Sequence, residues 1–228
     1  MDFANKNLWL LFEVNGEKFY ITQTHVSTWI VMGLLIAFAV VVRIKLSGFR
    51  DVPKGFQNIV ETAVETMSGF AVSTMGKKME ALGAYFFGIF AFILFSNYSG
   101  LLGLRPPTAD LATTAALALS TFLLIHGMGF AARKGGYFKD YLSPNPIFLP
   151  INIVGELSKP ISLCFRLFGN VLGGVIIMGL VYQMLPFGLR FILPDILHAY
   201  FDIFVGALQA FIFTVLSMTF IQQKVDGE

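Results

Sequence analysis

Apolar runs long enough to cross a bilayer recur along this chain of 228 residues, at about 26–45, 82–104, 111–132, 147–185 and 191–222. At a rise of roughly 1.5 Å per residue, about 20 apolar residues cover a hydrocarbon core of about 30 Å, so each run predicts a spanning helix. No run shows the dyad alternation of a membrane barrel. The chain is 56% hydrophobic with only 13% charged residues and 25 Phe. A soluble domain carries about a quarter charged residues, so that class is excluded.

Between the first two runs, 53–76 has a different pattern. Gln57, Asn58, Glu61, Thr62, Glu65, Thr66 and Ser68 interleave with Phe56, Ile59, Val60, Val64, Met67 and Phe70. Such an amphipathic helix is expected to lie on a membrane surface. Arg105-Pro106-Pro107 ends the second run, and Thr108-Ala109-Asp110 reads as an N-cap lead-in to the third. Ser143-Pro144-Asn145-Pro146 signals a loop, and Pro186-Phe187-Gly188 a turn. The run 147–185 is too long for one perpendicular crossing and predicts a tilted or bent helix, with Pro160 as a source of a kink. The predicted fold is an all-α polytopic membrane protein, one membrane domain over 1–228. It has five transmembrane helices, one interfacial helix, and a long tilted helix pair at the C-terminus.

Five crossings put the termini on opposite sides. Ten basic residues (Arg43, Lys45, Arg50, Lys54, Lys77, Lys78, Arg133, Lys134, Lys139, Lys224) fall on one side, and Lys6, Lys18, Arg105 and Arg190 on the other. The positive-inside rule then places the N-terminus outside and the C-terminus in the cytoplasm. Asp2, Glu13 and Glu17, without a small-residue cleavage site, argue against a removed signal peptide. Cys164 is the one cysteine, which excludes an internal disulfide. No metal-ligand cluster is visible and no cofactor is expected. The net charge of +2 gives no ground for expecting nucleic acid.

The charges inside the apolar runs point to function. An always-charged Arg166 in a spanning segment costs roughly 2.5–3.5 kcal/mol on insertion scales, so it is there for a purpose. At about 100° per residue, Asn152, Glu156, Lys159, Arg166 and Asn170 share an arc of roughly 80°, with Ser162 just beyond its edge. On the last helix Asp195, His198, Asp202, Gly206 and Gln209 share a similar arc. Two readings stand. In one, the stripes meet as structural ion pairs, for instance Arg166 with Asp202; in the other, they line an ion path.

Leu157-Ser158-Lys159-Pro160-Ile161-Ser162-Leu163, followed by Arg166-Leu167-Phe168-Gly169-Asn170, resembles subunit a of the F-type ATP synthase, as does Leu208-Gln209-Ala210-Phe211-Ile212-Phe213. Pro107-Thr108-Ala109-Asp110 and Ser96-Asn97 also look like that family. The resemblance implies a subunit without bond chemistry of its own, which forms two half-channels against a rotating ring of c subunits, with b-type peripheral stalk and other ATP synthase subunits as partners. Its essential arginine falls on Arg166 and the accompanying glutamine on Gln209. Asn170 and Ser162 fall on polar positions associated with the cytoplasmic half-channel. The same resemblance implies a bacterial plasma (inner) membrane and protons or sodium ions as the transported species.

The chain also departs from the pattern. Gly174 and Val175 stand where many relatives carry an ionisable side chain, and Asp202 stands where relatives carry a histidine or an acid. Asn152 replaces a common glutamate, for which Glu156, one turn on, is a candidate substitute. Lys159 and His198 complete the expected ion-translocation set. The rival from another class is a secondary ion-coupled transporter, which an internal repeat would favour, but the Arg166 and Gln209 stripes have no counterpart in the first half. An intramembrane hydrolase would need motifs such as His-Glu-x-x-His or Gly-x-Ser-x-Gly, which are missing from the sequence.

Overall fold

In a computed structural model, residues 7–14, 17–49, 52–142, 145–184, 186 and 193–227 are described. The helices are α1 (Gln23–Lys45), α2 (Phe56–Met75), α3 (Gly83–Tyr98), α4 (Leu111–Arg133), α5 (Gly136–Leu142), α6 (Leu149–Met184), α7 (Leu193–His198) and α8 (Gly206–Asp226). Turns of 3₁₀ helix extend α3 at both ends, and the π-helical segment Ala199–Val205 joins α7 to α8. Among the described residues, five helices are long and apolar enough to cross a membrane: Gln23–Gly48, Lys77–Leu102, Leu111–Arg133, Pro146–Met184 and Leu193–Asp226. They match the five runs of the sequence. The 20-residue α2 falls outside that group.

Local chemistry sets several boundaries. Asp110 caps α4 by accepting from the Ala112 N–H at 3.1 Å, as its lead-in predicts. His25 Nδ1 accepts from the Thr22 N–H at 3.3 Å, closing the first turn of α1. Gly76, at φ 82°, ends α2 in a conformation that a side chain would disfavour. Pro160 is buried inside the continuous 36-residue α6. The expected loop at Ser143-Pro144 and turn at Phe187-Gly188, like Lys6, Arg50 and Arg190, lie outside the described residues.

Two elements go beyond the sequence expectation. Antiparallel strands β1 (Asn7–Val14) and β2 (Glu17–Thr22) form a hairpin leading into α1, and α5 occupies part of the charged connection before the expected loop.

The central core joins four helices: Ile89 and Ile93 of α3, Ala118 of α4, Leu163, Cys164 and Leu167 of α6, and Ala210 and Phe213 of α8. A second cluster seats Ala71 and Met75 of α2 against Met79, Phe86, Ile125, Met218 and Ile221. The Phe-rich stretch of α3 is divided between core and surface: Phe86 is fully buried and Phe95 is exposed. The first span stays peripheral, with Trp29, Leu34, Ile36, Phe38 and Ile44 exposed as on a lipid-facing helix. Lipid is as apolar as leucine, so close packing and hydrogen bonds must hold such a bundle. One buried set does this. Asn97 Nδ2 donates to the Gly206 carbonyl at 2.9 Å, and Thr108 Oγ1 donates to Asn97 Oδ1 at 2.6 Å, tying α3, the α4 lead-in and α8 together.

Candidate ion path

Midway along the bundle, α6 and α8 meet through a polar contact in which Asn170 Nδ2 donates to Gln209 Oε1 at 2.6 Å. Gln209 is 3% exposed, and its Nε2 is buried without a hydrogen-bond partner. One turn before Asn170, Arg166 points outward and is exposed. Its Nη2 makes a weak contact with Ser162 Oγ at 3.5 Å, and no carboxylate among the described residues lies within ion-pair reach. Gly155, Gly169 and Gly173 flank this face of α6 with open space where a Cβ would be. The guanidinium thus stands exposed on a helix face that its glycines leave open.

Toward the end of α6, a second polar set bridges to the π-helical segment. His198 Nδ1 lies 2.6 Å from Asp202 Oδ2, and His198 Nε2 lies 3.1 Å from the Tyr182 hydroxyl. Asp202 sits in the wide turn, its carboxyl against Gly100, where a Cβ would come within 3.4–3.5 Å of it. From there it lines a cavity of ≈ 20 Å³ as felt by water, shared with Asn97, Asn170 and Gln209. That is room for about one water molecule. Wide turns of this kind occur often at functional positions, since they re-aim side chains within a helix.

At the opposite end, Glu156 Oε1 accepts from Lys159 Nζ at 2.9 Å and from Lys224 Nζ of α8 at 2.8 Å. Lys224 Nζ lies 4.8 Å from the ring centroid of Tyr141 and 5.7 Å from that of Tyr137. The Tyr137 hydroxyl bonds to the Tyr141 hydroxyl at 2.8 Å and to His126 Nδ1, while Asn152 Nδ2 donates to the Tyr141 carbonyl at 2.9 Å. Ten residues of α6, about 15 Å, separate Glu156 from Arg166, and sixteen, about 24 Å, separate Arg166 from Tyr182. Polar groups therefore flank Arg166 toward both ends of the same long helix.

A family model described as ATP synthase A chain matches residues 25–222. The chain belongs to the ATP synthase A chain family. It is 36% identical over 211 residues to ATP synthase subunit a of Moorella thermoacetica, covering 91% of this chain and 92% of that one. With subunit a 1 of Syntrophotalea carbinolica it shares 38% over 212 residues, 89% of this chain and 85% of the relative. It is also 34% identical over 224 residues to the sodium-ion-specific subunit a of Propionigenium modestum, covering 91% of this chain and 75% of that relative.

In this ATP synthase A chain, the structure brings several sequence-named residues together: Asn170 with Gln209, His198 with Asp202, Glu156 with Lys159, and Ser162 beside Arg166. It does not join Arg166 to Asp202, so the structural ion-pair reading of those two is corrected. Asp202 turns to its own helical segment and to His198 instead. The Asp195–Gln209 stripe is also altered, because the ideal 100° step fails across Ala199–Val205, and Asp195 is exposed while Asp202, Gly206 and Gln209 line the cavity.

Tyr182 and Lys224 were not among the expected site residues. Tyr182 lies sixteen residues before His198, on a different helix, and no local spacing joins them. Lys224 reads in sequence only as one more cytoplasmic charge, although Glu156 and Lys224 as the inward charges of facing helices are a pattern that helical phase could have matched.

Proposed function

We infer that this chain is the ion-translocating stator subunit in the membrane sector of a rotary ATP synthase. It is an integral membrane protein and works with the other ATP synthase subunits. The observation that carries the finer reading is Arg166, exposed on a spanning helix with no acid among the described residues in reach. Against lipid such a charge is unfavourable by several kcal/mol. Covered by a ring of c subunits, each carrying a carboxyl group, it has a partner that arrives and departs.

The guanidinium stays charged, so it favours the ionised form of each carboxyl that passes, and it keeps two access paths apart electrostatically. In this reading one path reaches Arg166 from Asp202, Asn170 and Gln209, and the other leaves along Ser162, Lys159 and Glu156. The membrane potential contributes about 2.3 kcal/mol per charge per 100 mV to such passage. The subunit makes and breaks no bond, and its ion is a proton or, as the name of the Propionigenium modestum relative states for that protein, sodium. The chain acts as one membrane domain in a bacterial inner membrane, with its N-terminus outside, its C-terminus cytoplasmic, and b-type subunits bracing it.

Cross-linking tests the ring assignment. In a Cys164→Ser background, Gly169→Cys should form a disulfide with a cysteine placed on the outer helix of a small two-helix ring subunit, while Leu123→Cys, on an exposed part of α4, should not. Equal yields at both positions, or no ring product at Gly169, would overturn the assignment of this face to the ring.

A further inference from the structure

The β1 and β2 hairpin joins the first membrane span without a linker, since Thr22, the last residue of β2, is also the N-cap of α1. The spanning segment that follows, Gln23–Gly48, has 26 residues, and so about 39 Å of helix against a hydrocarbon core of about 30 Å. Its ends therefore reach the headgroup layers, and the hairpin begins there. The buried residues of α1 are Thr24, Ser27 and Val31, all in its first three turns, while Trp29, Leu34, Ile36 and Phe38 are exposed. The bundle thus grips this span only near the hairpin.

The hairpin has two unlike faces. Alternation along β2 puts Phe19 and Ile21 on one side and Lys18 and Tyr20 on the other. Cross-strand pairing adds Trp9 to the first, opposite Ile21, and Leu10 and Glu13 to the second, opposite Tyr20 and Lys18. Trp9 is 63% and Phe19 50% exposed, so the first face presents large apolar side chains to whatever surrounds it. On the second face the exposed Glu13 and Lys18 stand at the end of the pairing away from Thr22. The two strands carry Glu13, Glu17 and Lys18 as their charges, and so lack the basic cluster that attraction to anionic lipid would need.

We propose that this hairpin is an interfacial anchor. Its Trp9, Phe19 and Ile21 face seats among the headgroups and upper acyl chains of the phospholipid leaflet in which α1 begins, while Glu13 and Lys18 stay in water. Tryptophan and other rings suit that layer, where one end of a side chain meets hydrocarbon and the other meets water. The chain passes directly from this face into a lipid-exposed helix, and that continuity favours lipid over a neighbouring subunit as the occupant. Attachment comes from apolar area and not from charge, so it is indifferent to salt. The anchor fixes the height of the first span in the bilayer. It requires only that α1 crosses the membrane, and so it stands apart from the ring and half-channel reading.

Trp9 and Trp29 are the two tryptophans of the chain, so Trp29→Phe leaves Trp9 as the one reporter. In that full chain, reconstituted in phosphatidylcholine vesicles, lipid brominated near the headgroup end of its acyl chains should quench Trp9 emission severalfold more than aqueous acrylamide does, at low and high salt alike. Acrylamide quenching equal to that of free tryptophan, with none by the brominated lipid, would overturn the anchor. In the assembled ATP synthase, p-benzoylphenylalanine in place of Phe19 should give a photoadduct with phospholipid, and in place of Glu13 none. An adduct from residue 19 with another subunit instead of lipid would overturn the choice of occupant. In a Cys164→Ser background, Trp9→Ser with Phe19→Ser should speed labelling of Gln23→Cys by an impermeant maleimide severalfold, as the first span loses its fixed height. An unchanged labelling rate would overturn the positioning of that span.

Discussion

Arg166 separates two kinds of membrane charge. An arginine that only balances charge tolerates lysine, but one that must stay charged while an acid gains and loses its ion does not, because a desolvated ammonium can give up its proton. Arg166→Lys should lower coupled ATP synthesis by roughly two orders of magnitude, the scale set by loss of a preorganised charge, with the complex still assembled. Arg166→Ala should in addition let an imposed gradient dissipate through reconstituted vesicles. Substantial synthesis by the lysine variant would reject the role.

At the other end of α6, Glu156 faces both Lys159 and Lys224. Glu156→Gln should impair passage more than Leu157→Ala, whose side chain is exposed. Removing one partner of a buried pair leaves the other uncompensated, so Glu156→Gln with Lys224→Met should assemble better than Glu156→Gln alone, yet conduct no faster. Recovery of the full synthesis rate in that double variant would leave Glu156 a structural role only.

The glycines of the two long helices differ by what stands opposite them. A Cβ at Gly206 would lie 2.9 Å from Asn97 Cβ, inside the hydrogen-bonded set that locks α3 to α8. Gly206→Ala should therefore destabilise the bundle by about 1–3 kcal/mol, the usual scale of overpacking, and the subunit should leave the complex at lower temperature on heating in detergent. Gly173 meets nothing within 4 Å. Gly173→Ala should leave that thermal release unchanged and slow ring-coupled synthesis, since the added methyl would stand only in the path of a partner helix. Equal thermal effects of the two alanines would contradict this division of faces. The π-helical segment between α7 and α8 belongs to the same scale, because it decides where Asp202 points.

For the whole molecule, the charge asymmetry predicts an orientation, and labelling tests it. In a Cys164→Ser background, a cysteine near Lys6 should react with an impermeant maleimide from outside, and one near Lys139 only from the cytoplasm. Reaction of both from one side would sink a five-span topology. Labelling as expected would give the polar sets at the two ends of α6 their directions, with Tyr182, His198 and Asp202 toward the outside and Glu156, Lys159 and Lys224 toward the cytoplasm.

The five spans, the amphipathic α2, and the polar faces holding Arg166, Asn170 and Gln209 were all legible in the sequence, because run length and helical phase are local properties. Asn15-Gly16, which separates the residues of β1 from those of β2, is a hairpin signal that the sequence carries too. Tertiary structure decided which charges meet. Arg166 and Asp202 share a bundle and even facing stripes, yet a wide turn of seven residues, invisible to a 3.6-residue period, turns Asp202 to His198 and leaves Arg166 without an acid partner among the described residues. Pairing across helices depends on their relative rotation and height, which close approach at Gly100 and Gly206 sets and sequence spacing does not encode. For the same reason Tyr182 and Lys224 entered the two polar sets only once the helices were packed.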